Sequence, residues 1–511
     1  MSNEDGPSRR RFLQTLGVGG VVLSGYGIYQ ASTEDDERET EDDTTMSQDR
    51  NEHIITDTER IEGVNNENSG NNQTPDVVRD GIEFDRVVNA VDDLGMDPSG
   101  ETAVNTEIEE AGDGTLIQFP DGEYLFEQVT NGVTLHNQTR GFEGIGDDVR
   151  FVAPPNYNTF LLSGDGMPAA YFADIDIDQS TPQTCAGLRL LASRTIIQNV
   201  EVIGRSDQFG SGTTFLTVSN PDPNGLTLIE NVTKTKGHWS AYNGSSGQIG
   251  IFVGSNHEGV LEVRNCDLRE FPNNAMYTSR CPGDVRVYDS YFENNNVSAV
   301  RIGGEGSFVE NCEIVIDPSQ YEGPRDDDFE DEAFFFRGVF IEEHFSPETG
   351  VEEQKPAGAA VRNTSFRYKN NPTGAPAINI RSHGRSLSVS NCTIEYDNDN
   401  ATSVINREDN SPGNHPAGDP PRWLRMQSSE ITGNGDVDEV IHLEDADRSI
   451  IDSCTIRNMS SDTTGVRILQ SSDCLISDTT ISVTGPAVSA EDSGVVQTNI
   501  TGNRNNDSGA T

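Results

Sequence analysis

Val263-Arg264-Asn265-Cys266-Asp267-Leu268 is one copy of a pattern that recurs twelve times in this 511-residue chain: an apolar residue, a spacer, then Asn, Asp, Ser or Gln, two more residues, and a second apolar residue. The polar positions are Asp174, Asn199, Asn231, Asn265, Asp289, Asn311, Asn363, Asn391, Ser428, Ser453, Asp478 and Gln497. Two residues before them stand Phe172, Ile197, Ile229, Val263, Val287, Val309, Val361, Val389, Met426, Ile451, Ile476 and Val495. Three residues after them stand Ile177, Val202, Lys234, Leu268, Phe292, Ile314, Phe366, Ile394, Ile431, Ile456, Ile481 and Ile500, so Lys234 alone breaks the apolar rule. Most copies lie 19 to 37 residues apart, too variable for a helical solenoid and suited to coils of short strands joined by elastic loops. The pattern predicts an all-β chain, a single-stranded right-handed parallel β-helix of about 12 coils with a short helical N-terminal cap.

A lone turn of strand cannot satisfy its backbone or bury its apolar face, so each coil must bond to the coils on either side. Val263, Cys266 and Leu268 read as inward, Arg264 and Asp267 as outward, and Asn265 sits where the chain bends between two strands. Asn tolerates left-handed backbone and can bond neighbouring amides, so stacked Asn would form a ladder along one corner. At about 4.8 Å per coil the repeats make a rod roughly 55 to 60 Å long.

A second strand precedes each bend by roughly ten residues and reads apolar, variable, apolar, as in Leu188-Arg189-Leu190, Val300-Arg301-Ile302 and Ile441-His442-Leu443. Strand alternation sends the middle residue outward. One exterior column is therefore expected to carry Arg189, Phe252, Tyr277, Arg301, Asn379, His442 and Arg467, with Arg381 and His383 just beyond Asn379.

The formal charge is −50, with only four lysines, Lys234, Lys236, Lys355 and Lys369. Such charge self-repels in dilute buffer and is screened within about 3 Å at molar salt, which points to salt adaptation and against a nucleic-acid partner. Most acidic residues then read as solvated surface. Outward Arg, His and aromatic residues in one column do not. Ser8-Arg9-Arg10-Arg11-Phe12-Leu13 followed by the apolar run Leu16 to Tyr29 resembles a twin-arginine export signal, which implies export of a folded chain to the exterior or the cell surface. If uncleaved, this segment would be the one membrane attachment. Seven cysteines in an exported chain invite disulfides, yet Cys266, Cys312, Cys392 and Cys454 all stand one residue after the ladder position and face inward. Their intervening coils carry Ser290, Thr364 and Ser429 there, and like positions two coils apart lie about 9 to 10 Å from each other, too far for a bridge. Buried thiols stacked with hydroxyls are expected.

Between Ile82 and Tyr124 the texture changes: Phe84, Val87, Val88 and Val91 at helical spacing, Asp97-Pro98-Ser99-Gly100-Glu101-Thr102, a short helical stretch to Ala111, and Leu116-Ile117-Gln118-Phe119-Pro120-Asp121-Gly122-Glu123-Tyr124. This segment resembles the entry region of the pectate-lyase-like superfamily, where a short helix leads into a strand ending Phe-Pro-x-Gly-x-Tyr. With the coil repeat, the resemblance spans roughly residues 80 to 505. It implies the same β-helix fold and a substrate lying along the outside of one strand stack. The superfamily's polygalacturonase-type set of Asn-Thr-Asp, Asp-Asp, Gly-His-Gly and Arg-x-Lys is absent as a set, so no catalytic residue carries over. The expected organisation is an export signal or anchor over 1–31, a disordered acidic linker over 32–80, a cap and entry strand over 81–125, the β-helix over 126–501 and a polar tail over 502–511.

Arg301 and Arg381 are the chosen pair for neutralising a uronate carboxylate, since a guanidinium grips it bidentately at any working pH. β-Elimination also needs a base, for which His383 or His442 is the right type. Arg189, Phe252, Tyr277, Asn379 and Arg467 would line the substrate path. Asp174, Asp176 and Asp178, alternating with Ile175 and Ile177, could bind Ca²⁺ or share a proton as acid and base, with solvated surface the favoured account of them. Asp326 to Glu332 before Phe334-Phe335-Phe336 is either a cleft wall with sugar-stacking aromatics or an acidic loop pinned by the three rings, and Asn398 to Trp423 offers another wall. The expected function is an exported, salt-adapted carbohydrate-active monomer, a lyase or hydrolase of an anionic polysaccharide. The alternative is a non-catalytic cell-surface rod that binds glycans through the same face.

Overall fold

The computed structural model describes residues 77–207, 214–239, 247–324, 334–342, 356–371, 374–381, 384–399, 402–406, 421–460 and 462–502. The expected export signal, the linker as far as residue 76, the run Asp326 to Glu332, His383 and the tail from residue 503 lie outside these residues.

At the bend of each coil one residue adopts left-handed backbone. From Asp174 to Asp478 every expected corner residue has φ between +47° and +58°, a region costly for most side chains and tolerated by Asn and Asp. The strands on either side of this corner pair in parallel with their counterparts one coil away. Val263, for example, is in register with Ile229 and Val287, and Leu268 with Phe292. A separate parallel sheet of thirteen strands, from Val133–Thr134 to Val488–Glu491, completes each coil. The chain is an all-β, single-stranded parallel β-helix.

Three features of the corner follow from side-chain chemistry. Asn199 donates through Nδ2 to Asp174 Oδ1 at 2.8 Å, Asn231 to Asn199 Oδ1 at 2.8 Å and Asn265 to Asn231 Oδ1 at 2.6 Å, so each amide reaches back one coil and Asp174 ends the row as an acceptor. The last expected position is corrected. Gln497 lies in the strand Val495–Thr498, and the left-handed residue is Asn499, whose Nδ2 donates to Asp478 Oδ1 at 2.8 Å. Just inside the corner, Cys266, Cys312, Cys392 and Cys454 alternate with Ser290, Thr364, Ser429 and Thr479. Each hydroxyl accepts from the amide of the cysteine one coil earlier, at 3.1 to 3.4 Å. No disulfide joins any of the seven cysteines, all of them buried.

Flanking apolar residues fill the interior as one continuous core. Lys234 also points inward. Its ammonium is fully buried, donates to the Lys236 carbonyl at 3.1 Å and lies 4.4 Å from the Phe271 ring centroid, and burial pushes its pKa down to about 8.

The stack begins before residue 126. Arg86–Asn89, Thr115–Phe119, Arg140–Gly144 and Ala170–Ala173 already pair in parallel, so the segment expected as cap and entry strand supplies coils. Of the residues read at helical spacing, Phe84, Val87 and Val88 are in strands and Val91 is in a turn: Ile82–Phe84 pairs antiparallel with Val77–Arg79, and Arg86–Asn89 joins the stack. Val, Ile and Phe fit a pleated surface at least as well as a helix, and pairing decided. The helix expected to end near Ala111 does form, over Asn105–Glu110, and buries Ile108 over the end of the core. The Phe-Pro-x-Gly-x-Tyr strand end is explained by packing. Phe119 and Tyr124 are buried edge to face at 4.9 Å, and a Cβ on Gly122, at φ +157°, would lie 2.6 Å from Pro98.

Candidate functional site

Outward residues of the thirteen-stranded sheet form a single row. Register carries it through Ser163, Arg189, Thr217, Phe252, Tyr277, Arg301, Phe340, Asn379, Ile405, His442, Arg467 and Ser489, each opposite the next. All seven residues expected in the column are in it. Thr217, Phe340 and Ile405 within it, and Ser163 and Ser489 at its ends, were missed. Leu216-Thr217-Val218 and Val339-Phe340-Ile341 fit the strand pattern as well as Ile251-Phe252-Val253 does and were findable, whereas Val404-Ile405-Asn406 ends in a polar residue and breaks it.

The centre of the row is an aromatic and guanidinium stack. The Phe252 and Tyr277 rings meet edge to face at 5.8 Å. The Arg301 guanidinium lies 4.1 Å from the Tyr277 centroid and 4.8 Å from that of Phe340, close enough for cation–π attraction on both sides. Arg280 lies over Tyr277 at 4.9 Å, and Arg337 and Arg381 over Phe340 at 5.1 and 5.4 Å. Arg301 and Arg381 are thus brought to one side of the coil stack, around a single ring.

Burial corrects the role expected of Arg301. It is only 7% exposed, and Glu342, wholly buried, accepts from its Nε at 2.5 Å as well as from a terminal nitrogen. Ser279 Oγ donates to the same carboxylate oxygen at 3.0 Å, and Arg280 Nε stands 4.0 Å from it. A guanidinium committed to a buried carboxylate holds the coils together and is poorly placed to grip a substrate. The half-exposed groups around it, Phe252, Tyr277, Arg280 and Arg381, form the accessible surface.

His442 belongs to a different station. Four rungs separate it from Arg301, roughly 19 Å at the spacing of parallel strands. A base must come within hydrogen-bond reach of the proton it removes, so Arg301 and His442 cannot serve one sugar ring. His442 instead contacts Glu439 through Nδ1 at 2.9 Å, with Glu444 3.5 Å from Nε2 and Arg467 3.7 Å from Glu439. The hydrogen bond from His442 holds the Glu439 carboxyl below its ordinary range. Glu439 and Glu444 were not singled out in the sequence, where they are two of 85 acidic residues. At the row's other end Arg189 pairs with Asp165 at 3.0 Å.

The remaining candidates separate. Asp174 occupies the corner and bonds within the amide row, so it leaves the strand face of Asp176 and Asp178. Asp176 accepts the Glu201 amide at 2.8 Å and Asp178 that of Ser180 at 2.8 Å. Among the described residues no group of three acidic, His or Cys side chains is placed to hold a metal ion, so the carboxylates expected for Ca²⁺ do not assemble as a site. Phe334 and Phe336 are buried against Trp239, at 5.0 and 5.2 Å, and pin their segment rather than offering faces to sugars. Trp423 lies 4.3 Å from the Arg425 guanidinium.

No family model matches the chain, and no curated protein does. Solved structures similar to it include PfbA, a surface adhesin of Streptococcus pneumoniae, at TM-score 0.38 and 12% identity over 79% of this chain and 92% of that one. The tailspike of E. coli bacteriophage HK620 in complex with a pentasaccharide matches at TM-score 0.38 and 11% identity, over 81% and 80% of the two chains. The A-module of the Azotobacter vinelandii mannuronan C-5 epimerase AlgE4 matches at TM-score 0.29 and 10% identity, over 82% and 97%. Likenesses this low carry no argument about ligand or activity.

Proposed function

We propose that this protein is an exported, salt-adapted, carbohydrate-active β-helix protein that engages an anionic polysaccharide along the row from Arg189 to Arg467, with lyase or hydrolase chemistry. The observation that supports this most is the half-exposed group of Phe252, Tyr277, Arg280 and Arg381, which spans five coils with Arg301 and Phe340 on the coils between. Aromatic faces stack on sugar rings, and guanidinium groups pair with carboxylate or sulfate. The rise per coil, about 4.8 Å, is close to the length one residue adds to an extended polysaccharide, so a polymer parallel to the stack meets a new side chain with each sugar.

The non-catalytic reading draws support from a specific observation. Arg301 and His442, one of the two imidazoles chosen as base, stand roughly 19 Å apart, and Arg301 is committed to Glu342. A screen of acidic polysaccharides in molar salt decides between them. Binding is read by retardation in affinity electrophoresis, elimination by ultraviolet absorbance of unsaturated uronates, and hydrolysis by new reducing ends. Binding with either product supports the enzyme, binding alone supports the glycan-binding rod, and no retardation by any polyanion contradicts both.

A further inference from the structure

We propose that Asn137 is a site of N-linked glycosylation, an inference that rests on the export reading. Seven Asn-x-Ser/Thr triplets without proline at x fall among the described residues, and such triplets are the acceptor signal of exported chains. Four of them are by-products of the fold. The corner demands a left-handed Asn, and the residue two places on is an outward strand position where Ser or Thr is at home. Asn231, Asn363, Asn391 and Asn499 arise in this way.

Those four are poor acceptors in a chain that is already folded. Asn231 and Asn499 use their side-chain amides in the corner row, and Asn363 Nδ2 reaches Glu310 at 3.5 Å. Asn391 sits at the corner and its Thr393 opens the strand Thr393–Asp397, so this triplet is built into the sheet, with its amides donating to Gln427, Ser429 Oγ and Thr364. Two more, Asn296 and Asn458, are buried, at 0% and 4% exposure. Asn137 shares left-handed backbone with the corner residues, and its Thr139 amide donates to Asp113 Oδ1 at 2.7 Å, but its surroundings differ from those of all six. It is exposed, lies in a turn between Val133–Thr134 and Arg140–Gly144, and its triplet with Gln138 and Thr139 is outside every strand. Its backbone amide bonds to the Asp165 carbonyl, which fixes the turn beside the Asp165–Arg189 pair at one end of the row. A glycan there would flank the entrance to the proposed binding face.

The transfer needs a lipid-linked sugar phosphate as donor. Asn137 Nδ2 bonds to the sugar's C1, the C1–oxygen bond to phosphate breaks with its electron pair leaving on the lipid phosphate, and one amide proton passes to solvent. The test uses the full chain recovered from the medium or surface of its native cells, digested and read by glycopeptide mass spectrometry, with T139A and N137Q variants alongside. The expected result is a sugar-bearing Asn137 peptide, loss of one glycan mass in both variants, and bare peptides at Asn231, Asn296, Asn363, Asn391, Asn458 and Asn499. An exported protein with a bare Asn137 overturns the inference and leaves the export reading standing. Recovery of the chain only from inside the cells overturns the export reading, and the inference with it.

Discussion

Asp289 interrupts a row of side-chain amides. Asn199, Asn231 and Asn265 each donate back one coil, but the next corner residue is a carboxylate with no hydrogen to give to Asn265 Oδ1. Asp289→Asn keeps the left-handed backbone and supplies the donor, and should stabilise by about 0.5 to 1.5 kcal/mol in denaturant melts at molar salt; an unchanged or lower midpoint would show that the row adds nothing. Arg301→Ala should act in the opposite sense and more strongly. It strands Glu342 in the interior, a loss of about 3 to 5 kcal/mol, whereas Arg467→Ala, at the row's more exposed end, should shift stability by no more than about 0.5 kcal/mol. Equal melting of the two variants would contradict the buried pairing. The corner was legible from single residues because left-handed backbone selects Asn and Asp. Its last member was misread because the flanks of Asn499 are Gln497 and Gly502, so the apolar signal had faded. Glu342 was not legible at all: its partner stands one coil away and 41 residues earlier in the chain.

Within a single coil, the inward positions tolerate no charge. Val309 and Ile394 are 0% and 1% exposed, and either one replaced by Asp should cost several kcal/mol or prevent folding, as read by loss of cooperative melting. The thiol and hydroxyl alternation gives a second outcome at this scale. Burial pushes the Cys266 and Cys312 thiols up to about 12 and Cys392 to about 11, so they stay neutral when folded. Unfolded thiols ionise near pH 8.5, which favours the unfolded chain above that pH. Stability should therefore be constant in this respect below about pH 8 and fall as pH rises toward 12, and replacement of Cys392 by Ser should flatten part of that fall. In native buffer the thiols should resist thiol reagents, and all seven should react after denaturation without reductant. Strand period made these inward positions readable. The N-terminal elements were less so, because Val87, Val88 and Val91 satisfy a helical and an extended spacing alike, and the choice was made by pairing with Leu116 and Ile117.

For the whole chain, a charge of −50 sets two opposed effects on any polyanion. Long-range repulsion dominates in dilute buffer, while contact with Arg280 and Arg381 survives screening better because these groups are partly enclosed by aromatic rings. Both the melting temperature and the affinity for an acidic polysaccharide should rise between about 0.1 M and 1 M salt, where the screening length falls from about 10 Å to 3 Å. Whether the row on the thirteen-stranded sheet is the binding face is decided by one comparison at molar salt. The affinity of a polyuronate retained by the wild type is measured for F252A/R280A, one residue of the row and one packed over its Tyr277, and for R264A/R362A, two exposed arginines beside the corner. F252A/R280A should bind at least about tenfold more weakly, from the loss of one stacking face and one charged contact, with melting within a few degrees of wild type. The corner variant should bind as the wild type does. Undiminished binding by F252A/R280A, or equal loss in both variants, would contradict the row as the binding face.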